Sequence, residues 1–193
     1  LGSKYFIKNY PDCMQGKKII FSINLDMIGR LRHRQLSVFG GRSAVGLETL
    51  VTHANNRHKN KSLELIFDWK ITSDSDHYPF LKAEVPTLMF HTGLHPDYHR
   101  PSDDVHLVNF KGIESVLEVV IQTLFQVANK ADDMFSFRRT AFSESNASRT
   151  KLEEKAFLPA GSRGRWGIGI RDDPANPVAP VVVAIRVGSP AER

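Results

Sequence analysis

Three histidines and three aspartates crowd one short stretch of the chain. The segment HTGLHPDYHRPSDD contains His91, His95 and His99, with Asp97, Asp103 and Asp104. Imidazole nitrogens suit zinc, and carboxylates either ligate a metal or orient a ligating imidazole. Pro96 and Pro101 rule out a continuous helix, so these histidines are not a helical pair four residues apart. On composition alone, a metal site and a solvated polar loop with incidental histidines are equally good readings. A second candidate is Asp26, which ends the apolar run IIFSINL. Such an acid either caps a turn or, if buried, must be paired, hydrogen-bonded or bound to metal. A third is SDSDHYPF, which places Ser75, Asp76 and His77 at a helix start, with Ser73 or Ser75 as its N-cap.

Other chemistries leave no mark. The sequence has no Gly-rich phosphate loop, no HExxH, no paired cysteines and no GxSxG elbow. Its single cysteine, Cys13, excludes an internal disulfide.

The elements that must position these groups follow from apolar periodicity. Residues 17–28 read as a buried strand, 36–39 as a second, 63–69 as a third and 85–90 as a fourth. Ser43 to Asn56 carries helical spacing, with Ser43 as the expected N-cap. Phe110 to Lys130 shows one continuous apolar stripe and is the clearest helix. Strands alternating with helices imply an α/β layer sandwich. In such sheets functional residues sit where strands end at their carboxyl termini. Asp26 closes one strand and the histidine loop follows another, so the two ends can converge.

The chain has 193 residues, 41% hydrophobic and 24% charged, which is globular composition. No apolar run approaches the roughly 20 residues of a membrane-spanning helix. The net charge of +5 is scattered, and its densest group is Arg30, Arg32 and Arg34 with His33. With no basic run interleaved with aromatics, these residues read as solvated surface and no nucleic-acid partner is expected. After Lys130 the composition turns charged and Ser-rich. From Arg165 it returns to β character.

NLDMIGR at 24–30, SDHYPF at 75–80 and DYHRPSDD at 97–104, in that order, resemble the later half of the co-catalytic di-zinc aminopeptidases of peptidase clan MH. The resemblance covers residues 1 to about 130. It implies a three-layer α/β sandwich, present here as a portion of the whole, and two zinc ions in the complete protein. It assigns Asp26 to one zinc and His99 to the other, and gives Tyr98 the task of polarising the scissile carbonyl. Asp103 would support the ligands from behind, and Asp76 sits beside the site. The expected substrate is a peptide with a free N-terminus. The remaining metal ligands and the general-base glutamate lie upstream in that family, so residues 1–193 alone are expected to be inactive. The alternative is a non-catalytic peptide-binding module on the same fold. RWGIGI and VVVAIRVGSPAER resemble the start of a PDZ-like domain, which binds a peptide C-terminus. The expected division is a zinc peptidase segment over residues 1–130, a linker over 131–162 and a truncated β-rich PDZ-like segment over 163–193.

Overall fold

Four short strands carry the apolar runs. The computed structural model describes residues 2–57, 62–129, 135–154 and 168–185. Strands β1 (Ser22–Leu25), β2 (Gln35–Phe39), β3 (Glu64–Asp68) and β4 (Thr87–His91) form one sheet in the order β1-β4-β2-β3. β1 runs parallel to β4 and β2 parallel to β3, while β4 and β2 are antiparallel. Thr87 to Phe90 are all buried, so the inner strand β4 reads as an uninterrupted apolar run.

Helices α2 (Leu47–Asn56) and α4 (Phe110–Ala128) cover one face. Leu47, Leu50 and Val51 of α2 and Val116, Val119 and Val120 of α4 share a core with Leu36, Val38, Leu88 and Phe90. The short helices α1 (Gly2–Lys8) and α3 (His77–Lys82) pack together, and α3 lies on β1 and β4. Leu81 and Met89 are buried outside the α2/α4 core. The layers are therefore helix, sheet and helix.

Two sequence expectations change. The first strand spans only Ser22–Leu25 rather than residues 17–28. Its ladder begins where its partner begins, at the pair Ser22 and Thr87, just after Pro86. The helix expected from Ser43 starts at Leu47 behind a left-handed Gly46 with φ 80°. Ser43 instead ties two segments together, donating from Oγ to the Thr87 carbonyl at 3.1 Å and accepting from the Thr87 N–H at 3.0 Å.

Gly40 makes that close approach possible. It has φ +76°, and a Cβ there would lie 2.2 Å from the Thr87 carbonyl oxygen. Gly40→Ala should therefore combine backbone strain with a clash against backbone, at about 2–4 kcal/mol. Urea unfolding of the variant measures it; a loss below about 0.5 kcal/mol would show that the loop relaxes freely.

The stretch read as a linker with some helical character holds a short helix. Arg139–Phe142 forms a 3-10 turn and Asn146–Glu154 forms α5. The Trp69 N–H donates to Asn146 Oδ1 at 3.0 Å, and Arg149 Nη1 donates to the Phe67 carbonyl at 3.1 Å. Strands β5 (Ile168–Asp173) and β6 (Asn176–Ile185) make an antiparallel hairpin. Its turn meets the loop after β2: the Gly46 N–H donates to the Ala175 carbonyl at 2.7 Å, and the Arg42 guanidinium holds the Asp173 carboxylate. The residues 165–167 and 188–191 that suggested a PDZ-like domain lie outside the described residues. Among the described residues no helix is long and apolar enough to cross a membrane.

Candidate metal centre

The parallel pair β1–β4 brings the two strand ends together. The Asp26 N–H donates to the Phe90 carbonyl at 3.1 Å, which extends the ladder one residue past β1. Met27 then turns left-handed at φ 54°. Thr92 Oγ1 donates to the Met27 carbonyl, so the exit of β4 is fastened to the exit of β1. The histidine loop starts from this joint.

Asp26, Tyr98, His99 and Asp103 line one cleft of about 740 Å³. Ser73 to Asp76, from the turn before α3, form another stretch of its wall. The Asn24 amide donates to Ser75 Oγ at 2.7 Å, so this wall is pinned to β1 two residues before Asp26. Asp76 accepts from Ser3 Oγ at 2.5 Å and stands at the N-cap of α3 without a capping bond from its side chain. Neither Ser73 nor Ser75 is the cap, contrary to the sequence expectation, because Ser75 serves the link to Asn24.

Asp26 is half-buried and His99 is exposed. Among the described residues neither side chain makes a hydrogen bond, so both sets of donor atoms are open to the cleft. Their chemistry fits zinc. No group of three or more His, Cys, Asp or Glu converges as a cage among the described residues. The donors in hand are thus a pair, short of a complete coordination sphere.

The three histidines serve different ends. His91 Nδ1 accepts from the Gly93 N–H at 2.8 Å, and its ring meets Phe39 edge-on. Burial pushes its pKa down, against the pull of Asp26 and Asp74. His95 lines the cleft with Nδ1 buried and unpartnered, and its Nε2 lies 3.8 Å from Asp103 Oδ2. His99 has left-handed backbone, φ 56°, and stacks on Tyr98 with ring centroids 3.8 Å apart. His77 is fully buried, and burial lowers its pKa too.

Two groups of this site escape the sequence reading. Asp74 lines the cleft, its carboxyl held below the usual range by the neighbouring Thr72 hydroxyl. Arg30 reads as solvated surface in the sequence, yet its side chain is only 15% exposed. It donates to Asp103 Oδ1 at 2.5 Å and lies 3.6 Å from Asp97 Oδ2, and its hydrogen bond holds the Asp103 carboxyl below the usual range. The available signal is its place at the end of NLDMIGR, directly behind Asp26.

The fold is similar to that of solved aminopeptidases. The chain aligns with the LapA aminopeptidase of Legionella pneumophila at TM-score 0.56 and 14% identity, over 68% of this chain and 36% of that one. It aligns with BSAP, a zinc aminopeptidase from Bacillus subtilis, at TM-score 0.53 and 19% identity, over 69% of this chain and 34% of that one. These likenesses are of fold, and the chain spans about a third of either protein's length. No curated protein sequence matches it significantly. The family model of peptidase family M28 matches residues 1–124, and the chain belongs to that family.

Proposed function

We propose that this chain is the later portion of a zinc-dependent aminopeptidase, contributing one ligand to each of two metal ions. The observation that carries the reading is that Asp26, just past the end of β1, and His99, in the loop that follows β4, line one cleft in an M28 chain. Asp26 would bind one ion through its carboxylate and His99 the other through its imidazole. Bound there, the ions would supply Lewis acidity and a water acidic enough to attack near neutral pH.

The chain's own residues do the rest of what falls to it. Tyr98 is 41% exposed beside His99 and can present its hydroxyl to a substrate carbonyl. There it would donate a hydrogen bond that strengthens as negative charge develops on the oxygen. Asp103 bears on the loop through Arg30, and Asp76 holds the α1 end of the cleft wall through Ser3. The substrate would be a peptide with a free N-terminus. The β5–β6 hairpin supports reading residues 163–193 as the start of a PDZ-like domain that takes a peptide C-terminus.

Zinc content tests the proposal. The full-length protein should hold about two zinc ions per chain and release N-terminal residues from peptides. A chelator should abolish this activity and zinc should restore it. Residues 1–193 alone should show none. A metal-free full-length protein that still binds peptides would instead make it a non-catalytic peptide-binding module.

A further inference from the structure

We propose that Arg30 is a positioning residue that holds His99 in ligating geometry, with Arg32 as its companion at the loop's other end. The inference rests on the reading of His99 as a zinc ligand.

The loop from Thr92 to Asp104 contains no strand or helix. At its apex His99 holds a left-handed backbone, φ 56°, which is strained for a non-glycine residue. Such strain persists only where the surroundings over-determine it. Arg30 supplies the determination. Its Nη2 faces Asp97 Oδ2 at 3.6 Å and Asp103 Oδ1 at 2.5 Å. These carboxylates stand two residues before and four residues after His99, so a single guanidinium nitrogen closes the loop beneath it. Successive turns tighten the same ring. The Tyr98 N–H donates to the His95 carbonyl at 3.1 Å, Arg100 to Asp97 at 2.9 Å and Asp103 to Arg100 at 3.0 Å. Ser102 Oγ also donates to Asp97 Oδ1 at 2.8 Å.

Arg32 grips the loop where it leaves β4. Its Nη2 donates to the Leu94 carbonyl at 2.7 Å and approaches the Thr92 carbonyl at 3.4 Å. A Cβ on Gly93 would sit 3.2 Å from that nitrogen, so the glycine leaves room for the guanidinium. Both arginines stand on a fixed base. The Asn109 N–H donates to the Gly29 carbonyl at 2.8 Å and its amide to the Leu31 carbonyl at 2.9 Å, tying the 28–32 segment to the start of α4. Asp26 precedes this segment by two residues. One short piece of chain thus carries one ligand and the clamp on the other.

The experiment measures zinc retention by the full-length protein against a competing chelator, without substrate. Arg30→Met should weaken zinc binding about 10- to 100-fold, the usual effect of losing a group that orients a ligand. Arg34→Met is the charge control; that side chain reaches the Ser62 carbonyl, away from the loop, and should leave zinc affinity unchanged. Arg30→Lys keeps the charge but ends one atom short of the position of Nη2 and should fall between. In zinc-saturated protein, Arg30→Met should lower kcat with little change in KM. Zinc affinity in Arg30→Met equal to that in Arg34→Met would overturn the inference, as would a rise in KM alone, which would mark Arg30 as a substrate contact. Should Arg30→Met fail to fold, Arg30→Lys decides, and wild-type zinc retention there counts against the clamp. His99→Ala separates the two claims. Normal zinc binding in that variant removes the ligand reading itself, whereas lost binding there beside a normal Arg30→Met removes only the clamp.

Discussion

Replacing Asp26 or His99 with alanine in the full-length protein should lower zinc occupancy and activity together, with kcat/KM falling by at least about 100-fold. The magnitude follows from an ordering. Groups that merely orient a metal ligand change affinity or activity by roughly 10- to 100-fold when removed, so a ligand should change more. Each substitution should empty a different ion, because the proposed assignment gives one zinc to Asp26 and the other to His99. Metal analysis should therefore find about one zinc lost per chain in each single variant. Tyr98→Phe should behave differently. It removes a hydroxyl and leaves Asp26 and His99 in place, so zinc should stay bound while kcat drops by about 100- to 1000-fold, the usual effect of losing one oxyanion donor. Activity that survives both alanine variants would sink the ligand assignment. Tyr98→Phe that lost zinc would show the hydroxyl, rather than the ring stacked on His99, supporting the metal site.

What the sequence shows of this site depends on whether the signal is local. Asp26 at the end of an apolar strand reads first as a turn cap, and it is the resemblance of NLDMIGR that marks it as a metal ligand. The long helix α4 is visible because its stripe repeats over five turns. Its start, by contrast, is an Asn109 side chain accepting from the Gly112 N–H, a single bond that leaves no period. The start of β1 is set across the ladder, where Ser22 pairs with Thr87 and its N–H donates to the Pro86 carbonyl, on a segment more than 60 residues away. Ser43 resembles a helix cap because capping is the commonest local use of serine. Its hydroxyl is taken up by Thr87, a partner only the fold supplies. Arg30 is the same case at the site. Three nearby arginines read as solvated charge until the loop at 97–103 is folded over one of them. Histidine spacing misleads in the other direction, since His91, His95 and His99 are regularly placed yet only His95 and His99 line the cleft.

Arg42→Met should be strongly destabilising, at about 3–5 kcal/mol, the range found when one partner of a buried ion pair is removed. Arg42 is 3% exposed. Its Nη1 reaches both Asp173 oxygens at 2.7 and 2.6 Å, and Nε and Nη2 reach Glu144 at 2.9 and 3.1 Å. The guanidinium also lies 3.9 Å over the Trp69 ring. Methionine fills the space and leaves two carboxylates without their shared cation. Removing Asp173 as well should recover some of the loss, because the variant then buries one orphan fewer. Acid titration gives an independent sign. Burial disfavours the Glu144 charge, but hydrogen bonds from Arg42 and Arg138 outweigh it and carry the carboxyl down to about 2 from 4.5. A depressed carboxyl contributes stability that is complete above about pH 4.5 and is lost as pH falls towards about 2. Glu48 opposes it: burial raises its pKa, so its unfavourable charge is relieved on mild acidification. Stability of the wild-type protein should therefore hold or rise slightly on going below neutral, then fall steeply below about pH 4.5. In Arg42→Met the steep acid limb should shrink, because the main donor to Glu144 is gone. A variant within about 1 kcal/mol of wild type, with its acid limb intact, would mean that water already screens this cluster. The prediction also reaches the chain's organisation. Asp173 ends β5 beside the hairpin turn and Arg42 lies in the loop after β2, so one buried pair joins segments 131 residues apart. Unfolding of the hairpin and of the four-stranded sheet should coincide in wild type and separate once that arginine is removed.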